Sequence, residues 1–462
     1  MHRVRALLLA AIPLAFVALA WPVDAAHAAT HTVTNCNDSG TGSLRAAAAA
    51  ANSGDLIDLR GLACSRIVLT SGAIRLPDQF ITIIGAGESR MTIDGNHASR
   101  VLEHTSTAWP LNNNATLRLR RLTVANGTDI ESAATGGCIY AARHLRLEYA
   151  QVRDCVARGT EPQGFASGHG GGAFVGGKAV LFHAAIFNSR AEGGTGSEGG
   201  GILAGELLQV DHSSIHDNHS DGNVGGGRGG GPGGLFVTYS SIRNNSAAAN
   251  VGGVDVANGP VVINKSTLNG NQADLYGAGG SFSSGHPVTI SDSTISGNRT
   301  ARSPAGFGLD GRSSTVRVVN STITDNIAAA PFFEFASGGI EQDGTVDYES
   351  TIIANNFVGT TPQDLRAQVD FGARVTGANN LIEASNAPLP ADTIGDDPML
   401  APLAGNGGRT LTHALLAGSP AIDAGNNGGG FADDQRGPGF PRVVGARADI
   451  GAFEVQGPEA QP

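Results

Sequence analysis

At 462 residues, with 67 glycines, 15% charged and 5% aromatic residues, the chain is too glycine-rich for a conventional globular enzyme core and too regular in pattern to be disordered. It carries 30 basic and 41 acidic residues, a net charge of −11, and its only lysines are Lys178 and Lys265. That excludes a basic footprint for nucleic acid.

Residues 1–28 read as an export signal: Arg3 and Arg5 at the start, an apolar stretch over 6–20, and a small-residue cleavage site at Ala26-His27-Ala28. The apolar stretch is short for a transmembrane span, and no other approaches the ~20 residues one needs. The protein is therefore expected to be exported and, once processed, secreted or displayed at the cell surface, with the periplasm as the alternative. Cys36, Cys64, Cys138 and Cys155 are the four cysteines. An even count in an exported chain implies two disulfides. Of three connectivities the local one is expected, Cys36–Cys64 and Cys138–Cys155. No CxxC spacing points to a metal site.

Residues 29–104 read as an N-terminal cap and first coils. Ser43 is placed to cap a short helix over 44–51 that ends near Asn52-Ser53-Gly54. Such a helix would cover the open edge of the first coil. Residues 105–375 hold a repeated phrase: Ser213-Ser214-Ile215 with Asn218, Ser240-Ser241-Ile242 with Asn245, Ser266-Thr267-Leu268 with Asn271. It returns at Ser293-Thr294-Ile295 with Asn298, Ser321-Thr322-Ile323 with Asn326, and Ser350-Thr351-Ile352 with Asn355. Each repeat adds a glycine cluster running into an aliphatic residue, as in Gly200-Gly201-Ile202 and Gly338-Gly339-Ile340. A fixed period of this size marks a solenoid. Short alternating strands joined by glycine corners make it a parallel β-helix, an all-β solenoid that resembles the right-handed, pectin-lyase-like ones. The asparagines are expected to form a structural hydrogen-bonded ladder between coils. Residues 376–455, rich in turn dipeptides, read as an irregular C-terminal cap, and 456–462 as a disordered tail. Asp423, Asp434, Arg436 and Asp449 are expected to hold the loops of that cap. No cofactor is expected, with calcium the one cation such acids would take.

Three parts of the chain carry a family resemblance. Thr41-Gly42-Ser43-Leu44-Arg45, the alanine run and Asn52-Ser53-Gly54-Asp55 resemble the N-terminal cap of bacterial exported β-helix proteins. The Gly-Gly-Ile and Ile-x-x-Asn signatures resemble the repeats of polymorphic outer-membrane proteins, with isoleucine where those usually have phenylalanine. Gly395-Asp396-Asp397-Pro398, Gly418-Ser419-Pro420-Ala421-Ile422-Asp423, Asp434-Gln435-Arg436-Gly437 and Asp449-Ile450-Gly451-Ala452-Phe453-Glu454 look like a choice-of-anchor Q domain. The resemblance implies a β-helix surface protein.

Three constellations bear on catalysis or metal binding. His169 lies in Gly168-His169-Gly170, the triplet of pectin-cleaving glycosidases, but no paired aspartates precede it and it reads as a glycine corner. The stretch from Asp211 to Asp221 holds His212, His216 and His219; these and Asp221 are the candidate metal ligands. Lyase chemistry would need a basic residue beside an acid cluster, for which Arg228 and Arg243 are candidates. Should the protein be catalytic, His169, Asp217 and Arg243 are the residues to mutate first. The reading is a non-catalytic, adhesin-like recognition protein, expected to be a monomer, that contacts an extracellular or cell-surface glycan or protein. The alternative is a carbohydrate-active lyase or hydrolase on the same fold.

Overall fold

The computed structural model describes residues 29–77, 79–105, 114–160, 166–282, 285–329 and 336–457. The expected export signal lies outside them. The coil beginning at Ile202 shows how the sequence folds. It contains four short strands, Ile202–Ala204, Leu207–Asp211, Ser214–His216 and His219–Ser220. Ile202, Leu208, Val210 and Ile215 point inward and are fully buried. Each strand pairs in parallel with its counterpart one coil on: Leu208 opposite Leu235, Val210 opposite Val237, Ile215 opposite Ile242. Like therefore stacks on like, and the core is a column of aliphatic side chains running the length of the molecule. The result is a right-handed parallel β-helix of about 12 turns, one strand per turn in its 12-stranded sheet. Parallel strands in one sheet are joined with this hand because of their twist.

The N-terminal helix spans Leu44–Ala50, and the Ser43 hydroxyl accepts from the Ala46 N–H at 3.2 Å. Leu44 and Ala48 close the first coil by joining the common core. Disulfides join Cys36 to Cys64 and Cys138 to Cys155.

Each coil turns two corners on residues with positive φ. The first precedes the Ser/Thr pair: His212 (49°), Tyr239 (48°), Lys265 (49°), Asp292 (42°). The second precedes the ladder asparagine: Asp217 (56°), Asn244 (54°), Asp325 (58°). This conformation costs a non-glycine residue roughly 1 kcal/mol. It is held because the corner N–H still reaches the next coil, as in His212 to the Thr238 carbonyl (3.0 Å) and Asp217 to that of Arg243 (3.1 Å).

Immediately after the second corner stands the ladder. Asn271 accepts from the Asn245 backbone N–H (3.1 Å) and side-chain amide (3.0 Å), and donates to the Asn298 Oδ1 and the Ile242 carbonyl, both at 3.0 Å. The same pattern runs from Asn218 through Asn245, Asn271 and Asn298 to Asn326. The next rung is Asn356 and not, as the repeat phrase implies, Asn355. The doubled Ile352-Ile353 shifts the register by one, so that Ile353 pairs with Ile323. Asn355 then takes the corner (φ 58°), where its N–H donates to Glu383. The ladder ends on Asp364, whose Oδ1 accepts from the Asn356 N–H (2.8 Å) and amide (2.9 Å).

Burial, reinforced by Glu383, pushes the Asp364 carboxyl up to about 7. A carboxyl raised in the folded state binds its proton more tightly there than in the unfolded chain. Stability from this group is full below about pH 4 and falls as pH rises toward 8, by up to about 4 kcal/mol. Asp364→Asn keeps the shape without the charge, and should raise the melting temperature at pH 8 while leaving pH 4.5 almost unchanged. An equal shift at both values would refute this origin.

The expected C-terminal cap differs from the structure in its path. Arg374–Ala378 and Leu381–Ile382 add a last set of strands to the sheets. From about residue 400 the chain then returns along the flank of the solenoid, over the first-corner column. Lys265 Nζ donates to the carbonyls of Asp433 (2.6 Å) and Asp434 (2.5 Å), the Ser350 hydroxyl accepts from the Asn426 N–H (2.7 Å), and Thr322 Oγ1 accepts from the Ala452 N–H (3.0 Å). This strap is braced internally by Arg436 on Asp434 (2.6 Å), with its guanidinium against the rings of Phe440 and Phe453, and by N–H donors of Asp423 and Val455 to Asp449. Among the described residues no helix is long and apolar enough to cross a membrane.

Candidate functional site

The first-corner column changes chemistry along the molecule. Where the strap lies over it, the corner residues are Lys265, Asp292, Asn320 and Ser350, polar groups that bind the strap. On the N-terminal side of these they are Tyr149, His183, His212 and Tyr239, the last with Gly437 of the strap against its ring. One ring per coil follows from the one-coil register, so ring spacing copies coil spacing. The centroids are 4.9, 5.0 and 4.9 Å apart, with neighbouring planes inclined by 5°, 30° and 24°. Phe182 braces Tyr149 and His183 edge-on, and Asp211 holds His212 at 2.7 Å.

These rings line a groove of about 750 Å³. The loop 86–90 closes one end, pinned by the Gly87 N–H on the Arg121 carbonyl (2.8 Å) and by the Thr123 hydroxyl on that of Glu88 (2.7 Å). Arg409 and Thr410 of the strap close the other, where the Thr410 hydroxyl donates to the Lys265 carbonyl at 3.2 Å. Tyr149 is 48% exposed. Burial, with Arg409 and His212 alongside, holds the His183 imidazole below its usual range, so it is neutral at pH 7 and offers one donor and one acceptor. A volume of this size with ring edges and convergent polar groups suits a polar organic ligand.

A second constellation lies on the outer face of the large sheet. One column carries Arg228, Asp255, Ser281, Gly308 and Glu341 on successive coils. Beside it, His169 and Glu198 bridge, as do Asn250 and Tyr276. Arg228 joins Glu198 to Asp255, its Nε 3.2 Å from the Asp255 carboxylate without an aligned hydrogen bond. The Tyr276 hydroxyl occupies the notch left by the missing side chain of Gly308. Burial pushes the Asp255 carboxyl up to about 6 against the pull of Arg228. It also raises Tyr276 and Glu341, and lowers His169. Perturbed groups gathered on one face are a recognised mark of acid–base sites, and structural ion networks show them too.

The residues singled out from sequence are dispersed. His169 belongs to this second constellation, hydrogen-bonded to Ser167 at 3.0 Å. Asp217 and Arg243 lie together elsewhere, 3.6 Å apart, with His216 on Asp217 at 2.6 Å. His212 is a groove ring, whereas His219 bonds Ser246 (2.8 Å) and Asp221 (3.1 Å). The corners at His212 and Asp217 separate the three histidines, His212 standing at a corner and His216 and His219 on successive strands, each with its own acid. Among the described residues no three metal-ligating side chains converge. Sequence reading missed Tyr149, His183, Tyr239 and Arg409. For the rings the signal is present: each stands three residues before an inward aliphatic, Val152, Ile186 and Ile242.

A family model described as "Right handed beta helix region" matches residues 145–323, the middle of the solenoid. No curated protein matches the chain in sequence. Among solved structures, the crystal structure of pectate lyase Pel9A is similar at 15% identity and a TM-score of 0.40, over 93% of this chain and 97% of that one. At that score the likeness has no bearing on function.

Proposed function

We propose that the protein is an exported recognition module that binds a glycan along the ring-walled groove. The observation that carries this is the column Tyr149–His183–His212–Tyr239, which presents one polar ring edge per coil inside a cavity of about 750 Å³. A ligand that is itself a repeating polymer can meet the same edge coil after coil, and the exposed Tyr149 ring offers an apolar platform for a sugar face. Two disulfides suit the oxidising surroundings of an exported protein. The export signal expected over 1–28 and the resemblance to choice-of-anchor Q and polymorphic outer-membrane proteins fit a surface or secreted placement.

A second reading, glycan cleavage, is favoured by Asp255, which sits between Arg228 and Tyr276 with its carboxyl raised to about 6 and so near the range of a general acid or base. One experiment separates the two. The exported protein is screened for binding on a polysaccharide array, and the same polymers are assayed for chain shortening. Binding without shortening is expected, weakened about tenfold or more in Tyr149→Ala and His212→Ala, the worth of one good contact. Chain shortening that disappears in Asp255→Asn would transfer the conclusion to the second reading. No bound polymer would overturn the recognition reading.

A further inference from the structure

We propose that the groove selects an acidic polysaccharide, one bearing carboxylate or sulfate groups; this rests on the recognition reading above. Three arginines line the groove from three separate parts of the chain: Arg90 on the closing loop, Arg121 at the corner one coil before Tyr149, and Arg409 on the strap. All three are exposed. Among the described residues none of their guanidiniums has a carboxylate within ion-pairing distance. Many arginines elsewhere are matched to acids. Arg118 and Arg120 meet Glu148, Arg158 and Arg190 meet Glu192, Arg317 meets Asp347 and Glu349, and Arg312 meets Asp310. In a chain of net charge −11, three uncompensated guanidiniums around one cavity are the reverse of what composition alone would place there. The lining holds a single acid, Glu88, and the nearby Asp211 is taken by His212.

The backbone that carries these arginines is held in place. The Arg121 carbonyl accepts from Gly87, which locks the Arg90 loop against it. Arg409 is fixed by Thr410 on Lys265, and its charge is felt at His183 in the centre of the ring column. The planar guanidinium fork matches carboxylate and sulfate in two parallel hydrogen bonds. Rings beside it supply the face and edge contacts of a sugar. Arg90 and Arg121 stand at the Tyr149 end of the ring column and Arg409 acts at His183 in its centre, so a polymer lying along the groove meets positive charge at two places. The remaining surface is acidic and would repel a long polyanion outside the groove, which favours a polysaccharide whose charges are spaced by sugar rings over the dense charge of nucleic acid.

The test uses the full exported chain with polygalacturonate, alginate, a sulfated galactan, the carboxyl-reduced neutral form of each uronate polymer, and a single-stranded oligonucleotide as probes. At least one acidic polymer is expected to bind, at least tenfold more tightly than its neutral form, with affinity falling as salt rises. Arg121→Gln and Arg409→Gln should each weaken that binding about tenfold, the worth of one charge-assisted hydrogen bond, with unchanged melting temperatures and no effect on any neutral polymer. Neutral polymer bound as tightly as acidic polymer, and lost in Tyr149→Ala but not in the arginine variants, would overturn this inference and leave the recognition reading intact. Preference for the oligonucleotide would overturn it in favour of nucleic acid, and no bound polymer would remove both.

Discussion

Asn271→Leu is expected to cost about 3–5 kcal/mol, whereas Asn355→Ala, one of the six asparagines of the repeat phrase, should cost about 1 kcal/mol or less. The two residues look alike in sequence and differ in what they hold. Asn271 is fully buried and serves three coils: it takes two N–H groups of Asn245 and gives its own to Asn298 and Ile242. Leucine fills the volume but leaves two Asn245 donors and the Ile242 carbonyl without their side-chain partner in a water-free interior, each worth roughly 1–3 kcal/mol before relaxation, while Asn298 Oδ1 keeps only the backbone N–H of residue 271. Asn355 sits at a corner, and the hydrogen bond it makes to Glu383 is from its backbone N–H, which alanine retains. What alanine loses is the tolerance of asparagine for positive φ. Urea unfolding of the two variants side by side decides the register. Equal losses would mean that the last rung is misplaced, and a loss under ~1 kcal/mol for Asn271→Leu would mean that the ladder is ornamental to a core held by aliphatic stacking.

What was legible in the sequence follows the same division between local and non-local order. The solenoid, its handedness and the ladder from Asn218 to Asn326 arise from contacts between equivalent positions of neighbouring repeats, and these recur in the text of the chain; the N-terminal helix is legible because its Ser43 cap is local. Register failed where a repeat departs by one residue. Ile353, not Ile352, pairs with Ile323. A side-chain period of two leaves no tolerance for a one-residue slip. The groove was harder to see. Its ring column is written in the corner position, but Tyr149 and His183 are 34 residues apart because a longer loop intervenes, which hides the repeat. Arg409 comes from the strap, more than 160 residues beyond Tyr239. Nothing periodic connects a strap to the coils it crosses. The clue lies in the corner column itself, which turns from rings to Lys265, Asp292, Asn320 and Ser350 where a second layer must be bound.

That second layer gives the other large expected effect. Arg442→Met should destabilise attachment of the strap by about 3–5 kcal/mol, the usual result of removing one partner from a buried ionic group. Arg442 is completely buried. It donates to the carbonyls of Gly451 (2.9 Å) and Asp449 (2.8 Å) and to Glu454 (3.1 Å), and lies 3.7 Å from Asp292 of the solenoid wall. Burial already raises the Asp292 carboxyl to about 6 and that of Glu454 to about 7, with Arg442 opposing the shift in both. Without the guanidinium both acids are left in a low-dielectric layer with less positive charge. They can escape only by taking up protons, which is easy at pH 5 and costly at pH 8, so the loss should be largest at pH 8 and shrink as pH falls through 6. Limited proteolysis reads the event directly. In the variant, cleavage within residues 400–457 should accelerate at pH 8 far more than at pH 5, while the coils remain protected because their core is continuous beneath the strap. Since Arg409 rides on the strap, polymer binding at the groove should weaken in parallel. Unchanged cleavage at pH 8 would show that Lys265 and the backbone contacts hold the strap alone, and cleavage spreading into the coils would show that strap and solenoid unfold as one unit.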